Sequence, residues 1–169
     1  MVSPCAGGIE LDQDLDFERR EWVVQRIGWV VMALILVAAL LGLFGGPGPL
    51  SSAVLEGGGL APIKVEYERL ARVDHQTTLT VRFVADAGDQ AAIWMDSRYH
   101  ESMLIEHIDP LPDRVVTHED RIEYLFDVAE GGAPMVLVFH LKCQRAGSVH
   151  NRIGRDGGAA LSLTHFVYP

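Results

Sequence analysis

Apolar residues follow two different rhythms along this chain. From Ile27 the run IGWVVMALILVAALLGLFGG passes twenty residues without a charge and then meets Pro47. From Ile63 onward the rhythm becomes alternating, with Ile63, Val65 and Tyr67 in one stretch and Leu79, Val81 and Phe83 in the next. The first pattern belongs to a helix with no water-facing side, the second to strands with one buried face.

At about 1.5 Å per residue, a helix over residues 27–46 measures roughly 30 Å, the thickness of a bilayer's hydrocarbon core. The apolar region of a signal peptide usually runs to about 7–15 residues, so this stretch is longer, although Ser51-Ser52-Ala53 resembles a small-residue cleavage site. The length predicts an uncleaved transmembrane span. The preceding DLDFERREWVVQRIGW has helix-forming composition with acids at its start, which extends the predicted helix to residues 14–46. Gly45-Gly46-Pro47-Gly48-Pro49 stops it, residues 47–61 read as a Gly/Pro/Ser linker, and residues 1–13 form a short tail.

Charge placement predicts orientation. Arg19, Arg20 and Arg26 precede the span and no Lys or Arg occurs between Arg26 and Lys64, so the N-terminus is expected in the cytoplasm. Trp22 and Trp29 suit the headgroup level on that side, with membrane lipid as the partner of this region. Ala38, Gly42 and Gly46 recur every fourth residue, a stripe through which other transmembrane subunits could pack closely.

Beyond the linker, residues 62–169 contain seven strand-like runs: IKVEYERL, TTLTVRFVA, AAIWM, SMLIEHI, DRIEYLFDV, PMVLVFHLKC and AALSLTHFVY. Turn residues part them, among them Ala87-Gly88-Asp89, Asp109-Pro110, Gly131-Gly132 and Asp156-Gly157-Gly158. The spacing predicts an antiparallel immunoglobulin-like β-sandwich, with a short helical piece near residues 96–103. On the far side of the bilayer this domain is periplasmic, and the chain sits in a bacterial inner membrane.

The net charge of −9 comes from 23 acids against 14 bases and argues against a nucleic-acid partner. Twelve of the bases are arginine, in keeping with a GC-rich bacterial genome. Cys5 and Cys143 fall on opposite sides of the predicted span, so both are expected as free thiols.

Seven histidines (His75, His100, His107, His118, His140, His150 and His165) are dispersed and show no HExxH or other tight ligand spacing. His140 and His165 could converge if their strands were neighbours. CxxCH, GxSxG and a phosphate loop are missing, and Glu119, Asp120, Glu123 and Asp127 read as solvated surface. The expectation is therefore a non-enzyme with no cofactor, no metal and no catalytic residues. One cluster stands out: Lys142, Arg145, His150, Arg152 and Arg155 crowd the segment between the last two predicted strands, a basic hairpin tip suited to binding a partner.

The arrangement DFERREWVVQRIGW, apolar span, GGPGPLS over residues 16–51, followed by a β domain ending in FVYP, resembles a family of bacterial single-span membrane proteins with an exported β domain and no assigned activity. The resemblance implies topology and carries over no functional residues. Together these features lead to the expectation of a non-enzymatic accessory or stabilising subunit of a larger bacterial membrane complex, with respiratory and photosynthetic complexes among the hosts. The alternatives are a periplasmic sensor or ligand-binding module, and a metal-dependent enzyme if histidines converge.

Overall fold

The computed structural model describes residues 15–43, 48–57, 59, 61–85, 90–128 and 132–169, with side chains from residue 20 onward. The predicted tail 1–13, the side chain of Arg19, Gly46, Gly131 and the turn Ala87-Gly88-Asp89 lie outside the described residues. The chain divides into two compact units at the junction of Val37 and Ala38.

Helix α1 covers Leu15–Leu40. Its stretch Arg20–Leu40 has a mean hydropathy of 2.2 over its most apolar window, with none of that window buried. Twenty-one residues at about 1.5 Å each make roughly 31 Å, enough to cross a bilayer. An apolar helix in this position is compatible with a membrane anchor or a signal sequence.

The helix stops at Leu40 rather than at residue 46, and its stop is built from backbone. Gly42 N–H donates to the Ala39 carbonyl at 3.0 Å and Leu43 N–H to the Ala38 carbonyl at 3.1 Å, while Gly42 takes φ +80°. This is the Schellman pattern, in which a left-handed glycine satisfies the last helical carbonyls. Ala38 and Gly42 therefore stand on either side of a helix end and do not share the predicted helical stripe. The chain then folds back: Leu50 N–H donates to the Leu41 carbonyl at 3.3 Å, and a Cβ on Gly48 would lie 2.7 Å from the Gly42 Cα.

Eleven strands occur among the described residues: β1 Ser52–Gly57, β2 Ile63–Glu68, β3 Leu70–Arg72, β4 Gln76–Val84, β5 Gln90–Asp96, β6 Met103–Asp109, β7 Arg114–Thr117, β8 Arg121–Asp127, β9 Pro134–Cys143, β10 Gly147–Arg155 and β11 Leu161–Tyr168. A 3₁₀ helix, Ser97–Glu101, follows β5 where the short helical piece is predicted. Four strands exceed the predicted seven. β1 forms from SAVLEG inside the predicted linker, and β10 replaces the predicted basic loop. β7 is a four-residue edge, and β3 begins at Leu70, the last residue of IKVEYERL.

One sheet has the order β1-β2-β4-β9-β6 and the other β3-β11-β10-β5-β8-β7. Neighbours pair antiparallel except β3 with β11, which run parallel. Arg69 is where the chain changes sheets. Its N–H donates to the Ser51 carbonyl beside β1, and its carbonyl accepts from Phe166 N–H of β11 at 2.6 Å.

The two sheets share one hydrophobic core. Val65, Leu79, Val81, Leu137, Phe139 and Leu141 enter it from the first, and Ile93, Met95, Phe126, Ile153, Leu163 and Val167 from the second. Each alternates with an outward-facing neighbour, so the period-two pattern puts one side of each sheet into the core. Full burial of such a side chain stabilises by about 1.5–3 kcal/mol, which makes this core the main source of the domain's stability.

Candidate functional site

Asp96 ends β5 and opens the 3₁₀ helix, and every polar atom it carries is engaged. Its carboxylate accepts from Arg152 at three side-chain distances, Nε to Oδ1 at 3.2 Å, Nε to Oδ2 at 3.1 Å and Nη2 to Oδ1 at 2.8 Å. Arg152 N–H adds a fourth contact, to Oδ2 at 3.1 Å. The Asp96 N–H donates to Asn151 Oδ1 at 3.1 Å, and its carbonyl accepts from His100 Nδ1 at 3.1 Å. The carboxylate raises the Arg152 guanidinium above its ordinary value. The pair joins β5 to β10 where their ladder ends.

Around this pair lies a cleft of about 510 Å³ lined by Asp96, Ser97, Arg98, Glu119, Asp120, His150 and Arg152. Ser97 fixes one wall: its N–H donates to the Asp120 carbonyl at 2.9 Å and its hydroxyl to the Glu119 carbonyl at 3.3 Å. Carboxylates and guanidinium groups thus line one opening. Such a lining suits a partner or ligand that carries both charges.

Behind this wall, consecutive residues of the 3₁₀ helix enter two hydrogen-bonded relays. The buried Tyr99 hydroxyl donates to His165 Nε2 at 3.0 Å, and His165 Nδ1 donates to the Glu68 carbonyl at 2.6 Å. His100 uses its Nδ1 on the Asp96 carbonyl and meets the Tyr124 hydroxyl with Nε2 at 2.7 Å. A carbonyl can only accept, so Nδ1 carries the proton in both rings and Nε2 accepts from tyrosine. Burial holds both imidazoles neutral, with His165 pushed down to about 4 and His100 also lowered. The same desolvation raises Tyr124 to about 12 and Tyr99 further, and lifts the Cys143 thiol to about 11.

The five basic residues singled out in the sequence are not gathered on a loop tip, because the segment between them is strand β10. His150 and Arg152 share the outward face of β10 and reach the cleft; His150 Nδ1 also meets Thr164 Oγ1 at 2.9 Å. Lys142 lies on β9 in the other sheet, 3.4 Å from Asp74. Arg145 is exposed in the turn before β10. Arg155 is buried, with Nη1 donating to the Val84 carbonyl at 3.1 Å and its guanidinium 4.7 Å from the Phe83 ring centroid.

The contemplated meeting of His140 and His165 does not occur: they occupy different sheets, and His165 is fully buried. No three His, Cys, Asp or Glu side chains converge as a metal ligand set among the described residues. On α1, Arg20, Trp22, Arg26 and Trp29 are exposed, and the Arg26 guanidinium lies 4.1 Å from the Trp22 ring centroid.

Asp96 itself was missed in the sequence, where it stood as one acid among many. Its signal was positional, as an acidic residue joining a strand to a helical turn.

No protein-family model matches the chain, and no curated protein matches it.

Proposed function

We propose that this chain is a membrane-anchored, non-enzymatic accessory subunit of a larger bacterial membrane complex, holding partners with its β domain. The observation that carries this reading is the complete exposure of the apolar window within Arg20–Leu40. An apolar surface of that length is stable in lipid or against other spanning helices, and unstable in water.

The placement of the basic and aromatic residues supports an orientation. Helical side chains lean toward the N-terminus, and Arg26 follows this by reaching back over Trp22. The cation and the amphipathic ring then share one level, that of the lipid headgroups, with the N-terminus cytoplasmic and the β domain periplasmic. Retention of the anchor agrees with the packing of the cleavage-like triplet. Ser51 and Ala53 are buried, and Ser52 and Ala53 pair with Glu68 and Tyr67 in the β1–β2 ladder. The two sheets around one core support an immunoglobulin-like sandwich for the exported domain.

A second reading, a ligand-binding module on a membrane anchor, is favoured by the cleft around Asp96. A charge-lined opening of about 510 Å³ has room for a small polar molecule. Affinity purification of the full chain from membranes in mild detergent separates the two. Companion proteins in fixed stoichiometry are expected of a subunit; recovery of a lone monomer contradicts that reading.

A further inference from the structure

The outward face of the first sheet carries a pair of histidines that regular alternation would keep apart. On β6, Ile105 pairs with Leu141 and His107 with His140, so the register slips by one residue between Ile105 and His107. Without that bulge Glu106 would face His140, and His107 would turn toward the core. The extra residue leaves Glu106 and His107 both exposed and returns Ile108 to the core. A bulge of this kind re-aims a side chain, and here it sets His107 directly opposite His140. Their ring centroids are 5.8 Å apart, with the ring planes tilted by 32°.

We propose that His107 and His140 form a surface site for a late first-row divalent transition metal, with Zn²⁺ as the ion to test. Imidazole nitrogens bind such ions at roughly 2.0–2.1 Å, which places each ring centroid about 3.2 Å from the metal. At the tetrahedral angle two rings on one ion stand about 5.2 Å apart by centroid, and rotation of the two side chains closes the observed 5.8 Å to that without movement of the backbone. His107 is exposed and His140 half-buried, so both can be reached from solvent. Competing contacts are drawn elsewhere: Glu106 accepts from Gln76 at 2.6 Å, and Lys142 faces Asp74. The two imidazoles supply half of a tetrahedral shell, and water fills the other positions. The ion would fasten β6, the edge strand of its sheet, to β9.

The test is isothermal titration of the full chain in detergent with ZnCl₂, alongside thermal unfolding with and without the ion. One Zn²⁺ per chain is expected at this site, with a higher unfolding midpoint in its presence. His107→Ala and His140→Ala are each expected to weaken binding by at least about tenfold, the scale on which even outer-shell groups act, and to abolish the rise in midpoint. His150→Ala serves as the control and leaves both intact. The proposal is overturned if the unaltered chain takes up no Zn²⁺, or if binding and the midpoint rise persist in both single variants. Both rings project from the sheet surface, so unchanged midpoints of the metal-free variants will show that lost binding is not lost folding.

Discussion

His165 and Tyr99 meet at 3.0 Å in a place water does not reach, one from the last strand and the other from the 3₁₀ helix. The imidazole is held neutral there, at about 4 against an ordinary 6.5. The unfolded chain therefore binds a proton that the folded chain refuses. The stabilisation is complete above about pH 6.5, declines as the pH falls toward 4, and is lost below that; the gap corresponds to roughly 3 kcal/mol. His100, lowered in the same sense, adds to the decline. Denaturant unfolding of the full chain at a series of pH values measures it. His165→Gln is expected to flatten the curve between pH 6.5 and 4, and an unchanged slope would contradict the assignment.

Tyr99→Phe removes the hydroxyl and leaves His165 Nε2 buried without its donor. A cost of about 1–3 kcal/mol is expected, the usual penalty for an orphaned buried polar atom. Tyr124→Phe is expected to cost less, because His100 is half-buried and water can replace the lost hydroxyl.

Much of the β domain is legible in the sequence because its strands are amphipathic. β2 and β4 alternate cleanly and aim their apolar sets at the shared core, while β9 reads as an apolar run of strand length from Met135 to Phe139. β10 is hidden for a physical reason: Asn151, Gly154 and Arg155 occupy buried positions beside Val149 and Ile153, so polar residues mask the alternation. β1 is hidden by the Gly and Pro residues around it, and its pairing with β2 is a tertiary fact that composition does not carry. The sheet change at Arg69 rests on two backbone hydrogen bonds, which leave no trace in side-chain pattern. The helix end shows the reverse difficulty. Apolar residues continue past Leu40 and hydropathy continues with them, while the backbone has already turned at Gly42. Of the candidate site, the sequence reveals His150 and Arg152 by their charge. It conceals Asp96, whose importance comes from the strand it faces.

At the cleft, the carboxylate of Asp96 serves more groups than the guanidinium of Arg152. The Arg152 side chain is more than half exposed, and exposed ion pairs are worth about 0–1 kcal/mol. Arg152→Ala is therefore expected to leave the unfolding midpoint close to that of the unaltered chain. Asp96→Ala also deprives the Arg152 N–H of its acceptor, and about 1–2 kcal/mol is expected. Equal losses in thermal or urea unfolding would show that the backbone contact contributes nothing.

Gly154 lies opposite Trp94 in the β10–β5 ladder, and a Cβ there would stand 2.7 Å from the indole ring. On its side of the sheet Trp94 also has the Arg121 guanidinium 5.6 Å from its ring centroid. The rigid ring cannot give way cheaply, so Gly154→Val is expected to destabilise by about 1–3 kcal/mol, the scale of overpacking. Trp94→Leu in the same chain should recover part of that loss. Additive losses in the double variant would mean that the two residues are not in contact.

The proposed role depends on α1 holding the chain in a membrane. Alkaline extraction of membranes from cells expressing it, followed by intact-mass measurement, tests this most directly. The chain is expected to remain in the membrane pellet with the mass of a polypeptide that retains residues 15–43. A soluble product beginning after Ala53 would contradict it.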